Sequence, residues 1–497
     1  MKSVPPRKHG RYLNYYSFII VCLFFFPLVI DSPCYAQKRS TGLILDDVNY
    51  QHVDQLAKGL SFTDPPNSYS LKKYAPLPGN QGQAGSCVSW ASGYAALSMS
   101  LAIQLELPDS NLEKLTRSPM FIYNQTKFAS CEDGSSLVKA LDFLKQKGTC
   151  SINEFNPKDC TIQPDSNLLK VASEFKVKEV YRLFDKDASQ DDKVIATIQS
   201  IASNKPVIIG MKIKSSLFKV NKSGNYKPSP TEQDEGGHAM CVVGYDQKTQ
   251  VFEILNSWGP QYANQGYFYI SYQDYALYTM YAFQLVLNRM PPSNLSIFDR
   301  DTDSLKTASR SIIQGEFMFK KYRNEEGYFE EMNTKYQTSY YELPFGICDT
   351  NSFFRVRAQN LTANTYVYVF SLKPNNTVDL LFPTYQSSDS ISMQIPIIPN
   401  ENVTIEIPEN RYNGLRTDQV GEDYLCILYS EQKLNDLSNV LNTIRQSNGN
   451  LEERLELALG DRLISKKDIV YSSEKMKVIA KVTSGYIAPL ILKVQVK

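Results

Sequence analysis

The chain has 497 residues, with 53 Lys and Arg against 52 Asp and Glu, and neither a basic stripe nor an RNA-binding motif appears, so nothing steers it toward nucleic acid. Three histidines, His9, His52 and His238, and no Cys-x-x-Cys argue against a dedicated metal site. The Gly-rich loop Gly79 to Ser86 lacks a Lys after Gly85 and is not a phosphate loop, so no cofactor is expected.

Lys2, Arg7, Lys8 and Arg11 precede a thirteen-residue apolar run, Phe18 to Ile30, which is followed by Ser-Pro-Cys-Tyr-Ala before Gln37. Residues 1–36 read as an export signal. A spanning helix needs about 20 apolar residues, so the run is short for an anchor. Pro33, rather than a small residue, precedes Cys34, unlike a lipoprotein site. The expected mature chain is secreted, periplasmic or at the cell surface, with no integral membrane span. Taking four basic residues and one acidic residue from 53 and 52 leaves 49 and 51, a net charge of −2.

Residues 37–69 read as a short N-terminal linker segment, with His52 in a polar stretch. Residues 70–290 carry the chemistry. In Asn80-Gln81-Gly82-Gln83-Ala84-Gly85-Ser86-Cys87-Val88-Ser89-Trp90-Ala91 a polar Gly-rich loop runs into an apolar helix, which puts the Cys87 thiol at a helix N-terminus. Free N–H groups and the positive end of the dipole stabilise an anion there, so the thiol is expected to ionise readily.

Helices are predicted over Cys87 to Leu105, from Ser118-Pro119 through Asn124, and from a Ser135 cap to Gly148. Strands follow, at Pro206 to Gly210, in the apolar run after Gly236-Gly237-His238, and at Val251 to Leu255 before Asn256-Ser257-Trp258-Gly259. The expected cleft lies between these halves, with Cys87 on one wall and His238 on the other. His238 is the plausible base for the thiol, and the Asn256 amide could orient its ring.

This ordered set resembles the papain-like cysteine peptidases, the family that includes the cathepsins, over roughly Ser70 to Asn288. Gln81 stands six positions before Cys87; His238 and Asn256 follow Cys87 by 151 and 169 positions. The family pattern has them about 130 to 150 residues downstream, compatible with loops of different length. The resemblance implies Cys87 as nucleophile, His238 as general base and acid, and Asn256 as the group that orients the imidazole. It also implies Gln81 in the oxyanion hole, Trp258 as a shield over the His–Asn contact, and Gly134 and Gly237 as substrate-binding positions. The partner is then a protein or peptide substrate.

Three departures stand out. Ala84 replaces the family's first Cys, which leaves Cys131 without its family partner. Val88 stands where an aromatic usually follows the nucleophile. About thirty residues separate the signal from Ser70, too few for a long inhibitory propeptide, so latency by that device is not expected. Of the seven cysteines in the mature chain, the odd count fits one free thiol. Cys150 and Cys160 are close enough in sequence to staple a loop, with connectivity left open. Cys241 and Cys426 sit in apolar runs and are expected to be buried and inert.

Residues 291–310, from Pro291-Pro292 through a polar stretch, read as a linker. Residues 311–497 change to short alternating strands, among them Phe353 to Ala358, Tyr366 to Phe370 and Val378 to Phe382, the last two joined through Pro374-Asn375-Asn376. Pro396, Pro399 and Pro408 bracket Val403 to Ile407, as in an edge strand or barrel rim. Helices are predicted at Leu434 to Arg445 and at Leu451 to Leu459, with Gly460 as the stop. The stretches Tyr-Val-Tyr-Val-Phe-Ser and Leu-Leu-Phe-Pro resemble the β-rich domains appended to bacterial papain-like and caspase-like peptidases. A binding accessory with a surface or polymer partner is one reading of this region, and a purely structural β-sandwich is the other.

The expected fold is therefore α+β: a papain-like two-lobed peptidase, with a helical lobe and a β-barrel-like lobe, followed by a mainly-β domain. The expected activity is peptide-bond hydrolysis through a thioester acyl-enzyme, by an exported endopeptidase. Two alternatives stay open, a non-catalytic peptide-binding module on the same fold and a cell-wall peptide hydrolase or acyl transferase using the same residues.

Overall fold

The computed structural model describes residues 39–57, 60–107, 112–288, 312–323, 327–384, 394–409 and 414–497. The expected export signal at 1–36 and the expected linker at 291–310 lie outside the described residues. Residues Arg39–Lys497 make one compact unit. Among the described residues, no helix is long and apolar enough to cross a membrane.

The first helical rod runs from Cys87 to Gln104, and its turns widen over Trp90–Leu97. Small residues let it sink into the core: Ala91, Ala95, Ala96 and Ala102 are all buried. Ser118 caps the helix Pro119–Thr126 by accepting from the Phe121 N–H, with Pro at the position where its missing donor costs nothing. The next helix, Leu137–Gln146, is capped by Ser136, one residue past the expected cap.

Against these helices lies a ten-stranded sheet. At its centre the strand Asp234–Asp246 pairs antiparallel with Val207–Lys214 on one side and Val251–Leu255 on the other, with Met211 opposite His238. The run Ala239–Tyr245 is buried throughout, so both faces are covered and the strand start is held rigidly.

The C-terminal region is a sandwich of an eight-stranded and a six-stranded sheet. Val367 and Val369 of the strand Tyr366–Leu372 face Phe317, Val356 and Ile405 across the sandwich core. Tyr366, Tyr368 and Phe370 face the other way, into a second cluster with Val440 and Ile444 of the helix Leu437–Gln446 and with Tyr181 and Val286 of the first region. The six-stranded sheet is thus buried on both sides. The helix Leu451–Leu459 has an Asn450–Glu453 capping box and ends at Gly460, whose φ of 52° suits glycine.

Two short strands lace the regions together. Gln55–Leu56 pairs with the strand Val177–Arg182 on one side and with Gln394–Ile395 on the other. Leu60–Ser61 pairs with Thr404–Ile407, so that strand, expected at an edge, is covered. Residues 55–61 therefore supply pairing to the ten-stranded and the eight-stranded sheets.

Candidate active site

Cys87 opens the helical rod and is wholly buried. Its sulfur lies against the backbone N–H of Ala239, the residue after His238. Burial pushes the thiol up to about 12, and backbone N–H groups of Ala239, Val88 and Cys87 pull the other way without winning. The expectation of an easily ionised thiol fails in this closed state, because desolvation outweighs the helix terminus.

His238 is also wholly buried. Its Nε2 lies 2.8 Å from Asn256 Oδ1. An amide oxygen can only accept, so Nε2 carries the proton and Nδ1 is the basic nitrogen. Nδ1 has no hydrogen-bond partner among the described residues. Burial holds the imidazole down to about 4, opposed by the bond to Asn256. Asn256 Oδ1 also accepts the Ser257 N–H at 2.8 Å, which fixes the amide. Trp258 stacks on the imidazole at 4.8 Å between centroids, and Phe218 stacks on the far side of the indole at 5.1 Å.

Gln81 is anchored at three points. Its N–H donates to Ser257 O at 2.9 Å, its Oε1 accepts from Ser257 Oγ at 2.5 Å, and its Nε2 donates to Ala84 O at 3.0 Å. Ser257 was not singled out in the sequence, although its place between Asn256 and Trp258 was a signal. The structure thus brings Cys87, His238, Asn256, Gln81 and Trp258 to one place.

The cleft is occupied by the chain itself. The segment Ser40–Leu45 lies across it: Leu43 N–H donates to Gly237 O at 3.2 Å, Ser135 N–H to Gly42 O at 2.9 Å, and Ile44 N–H to Ser135 O at 3.1 Å. Trp258 Nε1 donates to Ser40 O at 3.0 Å. A Cβ on Gly42 would lie 2.1 Å from Gly85 O, and one on Gly134 would lie 1.9 Å from Gly42 O, so three glycines allow this close stacking. The Leu43 side chain packs over Gly210 beside Leu137 and Tyr281. Arg39 donates to Phe218 O and places its guanidinium over Tyr262. The backbone bonds on the wall expected at Gly134 come from Ser135, while Gly134 supplies the close approach. The tract is too short for a long propeptide, yet it covers the cleft, because a strap needs only a few extended residues.

The cysteine expectations need correction too. Cys131, without its family partner, is joined to Cys160, so the staple read between Cys150 and Cys160 is not made and Cys150 is free and buried. Five described cysteines are free, not one: Cys87, Cys150, Cys241, Cys348 and Cys426, all buried. Spacing along the chain favoured Cys150 with Cys160, but the fold carries Cys150 into the core beside Arg117, and burial pushes its thiol up to about 12.

With this geometry in view, a profile of the family described as papain family cysteine protease matches residues 71–284. This region belongs to the papain family of cysteine proteases. An uncharacterized peptidase C1-like protein of Acanthamoeba polyphaga mimivirus is 27% identical over 220 residues, covering 41% of this chain and 69% of the relative. Human cathepsin L2 is 24% identical over 219 residues, covering 41% of this chain and 60% of its own. Mouse cathepsin K is 25% identical over 202 residues, covering 40% and 57%. Among solved structures, xylellain, a cysteine protease from Xylella fastidiosa, aligns over 51% of this chain and 98% of its own at 21% identity, with a TM-score of 0.42. The papain-like peptidase is thus the first region of an α+β chain whose remainder, rich in β-strands, these relatives do not cover.

Proposed function

We propose that this chain is an exported endopeptidase, made in a closed form and acting through a thioester. The observation that carries the reading is the pairing of a tethered imidazole with a thiol. Asn256 holds the Nε2 proton of His238, which leaves Nδ1 basic, and the Cys87 sulfur lies at the very next residue of the same strand. Once the cleft is wet, Nδ1 takes the thiol proton and the sulfur attacks a peptide carbonyl. The oxyanion is met by the Cys87 N–H and the Gln81 amide. The imidazolium then protonates the leaving amine, and water, deprotonated by the same nitrogen, releases the acyl group.

The strap supports a further reading of the cleft. Gly237 and the 134–135 wall bind extended backbone, as they do for residues 42–44, and the space filled by Leu43 fits a branched apolar side chain. The export reading rests on residues 1–36. Domain limits of 70–290 for the peptidase and 311–497 for a β-rich accessory are part of the same proposal.

Labelling with an epoxide-type thiol inhibitor, followed by mass mapping, tests the assignment. Modification at Cys87 that requires removal of residues 37–45 is the expected result. Peptide binding without turnover after that removal would instead favour the non-catalytic binding module.

A further inference from the structure

Strap and substrate compete for one surface, so a side chain that the strap presents to the cleft shows what that surface accepts. Leu43 fills one end. At the other end lies Arg39, whose guanidinium carbon sits 4.8 Å from the centre of the Tyr262 ring and 5.7 Å from that of Trp258. Its Nη1 donates to Phe218 O.

The cradle is held by bonds that do not involve Arg39. Tyr262 is 1% exposed and donates its hydroxyl proton to Leu217 O at 2.8 Å, which sets the tilt of its ring. Trp258 meets that ring edge-on at 4.9 Å and stacks on Phe218 at 5.1 Å. One short turn, Ser215–Lys219, thus supplies both carbonyls: Leu217 O orients the ring and Phe218 O receives the guanidinium.

Among the described residues the cation meets ring faces and a carbonyl rather than a carboxylate. Lys219 nearby is exposed, and Lys222 is turned onto Gln261 O at 2.8 Å, so no anion is supplied from that side. Arginine suits such a surface and lysine suits it poorly. A guanidinium is planar, weakly hydrated and stacks on rings, whereas an ammonium is a strongly hydrated point charge. Rings alone would take any apolar group; the Phe218 carbonyl adds the demand for a donor.

The place of this cradle along a substrate follows from the proton. Trp258 stacks on His238, and its Nε1 donates to Ser40 O, on the residue next to Arg39. The imidazolium delivers its proton to the departing amine, so the peptide half lying over that indole is the leaving half.

Given the peptidase activity proposed above, we propose that Phe218, Trp258 and Tyr262 form a subsite that selects arginine at the first or second residue of the leaving peptide. The test uses the full chain, opened by Gly42→Phe and with the cradle vacated by Arg39→Ala. Peptides share one apolar acyl half and carry arginine, citrulline or lysine at the first or second leaving position, and kcat/KM is read by mass spectrometry. Arginine should exceed citrulline, its neutral isostere, by about tenfold at one of the two positions, with lysine between them. Tyr262→Leu should bring that ratio to about one. The ratio is taken within each protein, so a general loss of activity does not move it. Turnover with a ratio near one in the parent, or a ratio that survives Tyr262→Leu, would overturn the subsite and leave the activity standing. If no peptide is cut, the activity fails instead, and the subsite is judged on the unopened chain. There Arg39→Met should quicken hydrogen exchange of the Leu43 and Ile44 amides about fivefold, and unchanged exchange would overturn the subsite. The same measurement decides if Tyr262→Leu misfolds.

Discussion

Two strands of this molecule are buried on both faces, yet they differ in what they do. Asp234–Asp246 begins with Gly236-Gly237-His238 and delivers an imidazole to the edge of a cleft. Tyr366–Leu372 is just as enclosed, with aromatic side chains on one face and valines on the other, and carries no reactive group. In the first, burial shields and orients chemistry; in the second, it joins a sandwich to its neighbour. The same packing physics therefore serves catalysis or cohesion according to what sits where the strand meets open space.

Substitutions that separate these roles sharpen the contrast. Cys87→Ala should cost at least about 10⁴-fold in kcat/KM on a peptide substrate once the strap is removed, with unchanged unfolding. Phe370→Ala should do the opposite, destabilising the chain by about 3 to 5 kcal/mol in chemical denaturation while turnover per folded molecule holds. If Phe370→Ala instead abolished turnover in folded protein, the division of labour would be wrong.

Gln81→Ala should lower kcat by about 10²- to 10³-fold with little change in KM, as expected for a donor used in the transition state. A drop confined to KM would remove Gln81 from the oxyanion site. Gly42→Phe should open the cleft, because its first side-chain carbon already meets Gly85 O. The inhibitor-labelling rate at Cys87 should rise about tenfold or more over the unprocessed chain, equivalent to about 1.4 kcal/mol of lost closure.

The smallest effect is one of pH. Closure holds His238 at about 4, well below its ordinary 6.5, so the closed state binds fewer protons than an open, wet one. Closure keeps its full advantage above about 6.5 and loses it as the pH falls toward 4. Hydrogen exchange of the Leu43 and Ile44 amides, corrected for intrinsic rates, should therefore quicken between pH 7 and 5. Exchange indifferent to pH would place the proton linkage elsewhere.

Much of the site was legible because its pieces are punctuation along the chain. A Gly-rich loop before Cys87, paired glycines before His238 and a strand ending at Asn256 each mark where backbone geometry must be special. The helices at Pro119–Thr126 and Leu451–Leu459 were legible for the same reason, through a cap, a proline or a closing glycine. The place of Ser135 on the cleft wall and the anchoring role of Ser257 were missed because two backbone bonds and one hydroxyl leave no pattern in a sequence.

The sequence by itself determined which side chains could carry the chemistry, since few residues of the right type stand at helix starts and strand ends. Only the tertiary structure decided three further things: that Ser40–Leu45 fills the cleft, that Cys131 joins Cys160, and that short strands lace the peptidase to the sandwich. Each depends on segments distant along the chain meeting in space. Such meetings are fixed by the burial and backbone pairing of the whole fold, which no local spacing records.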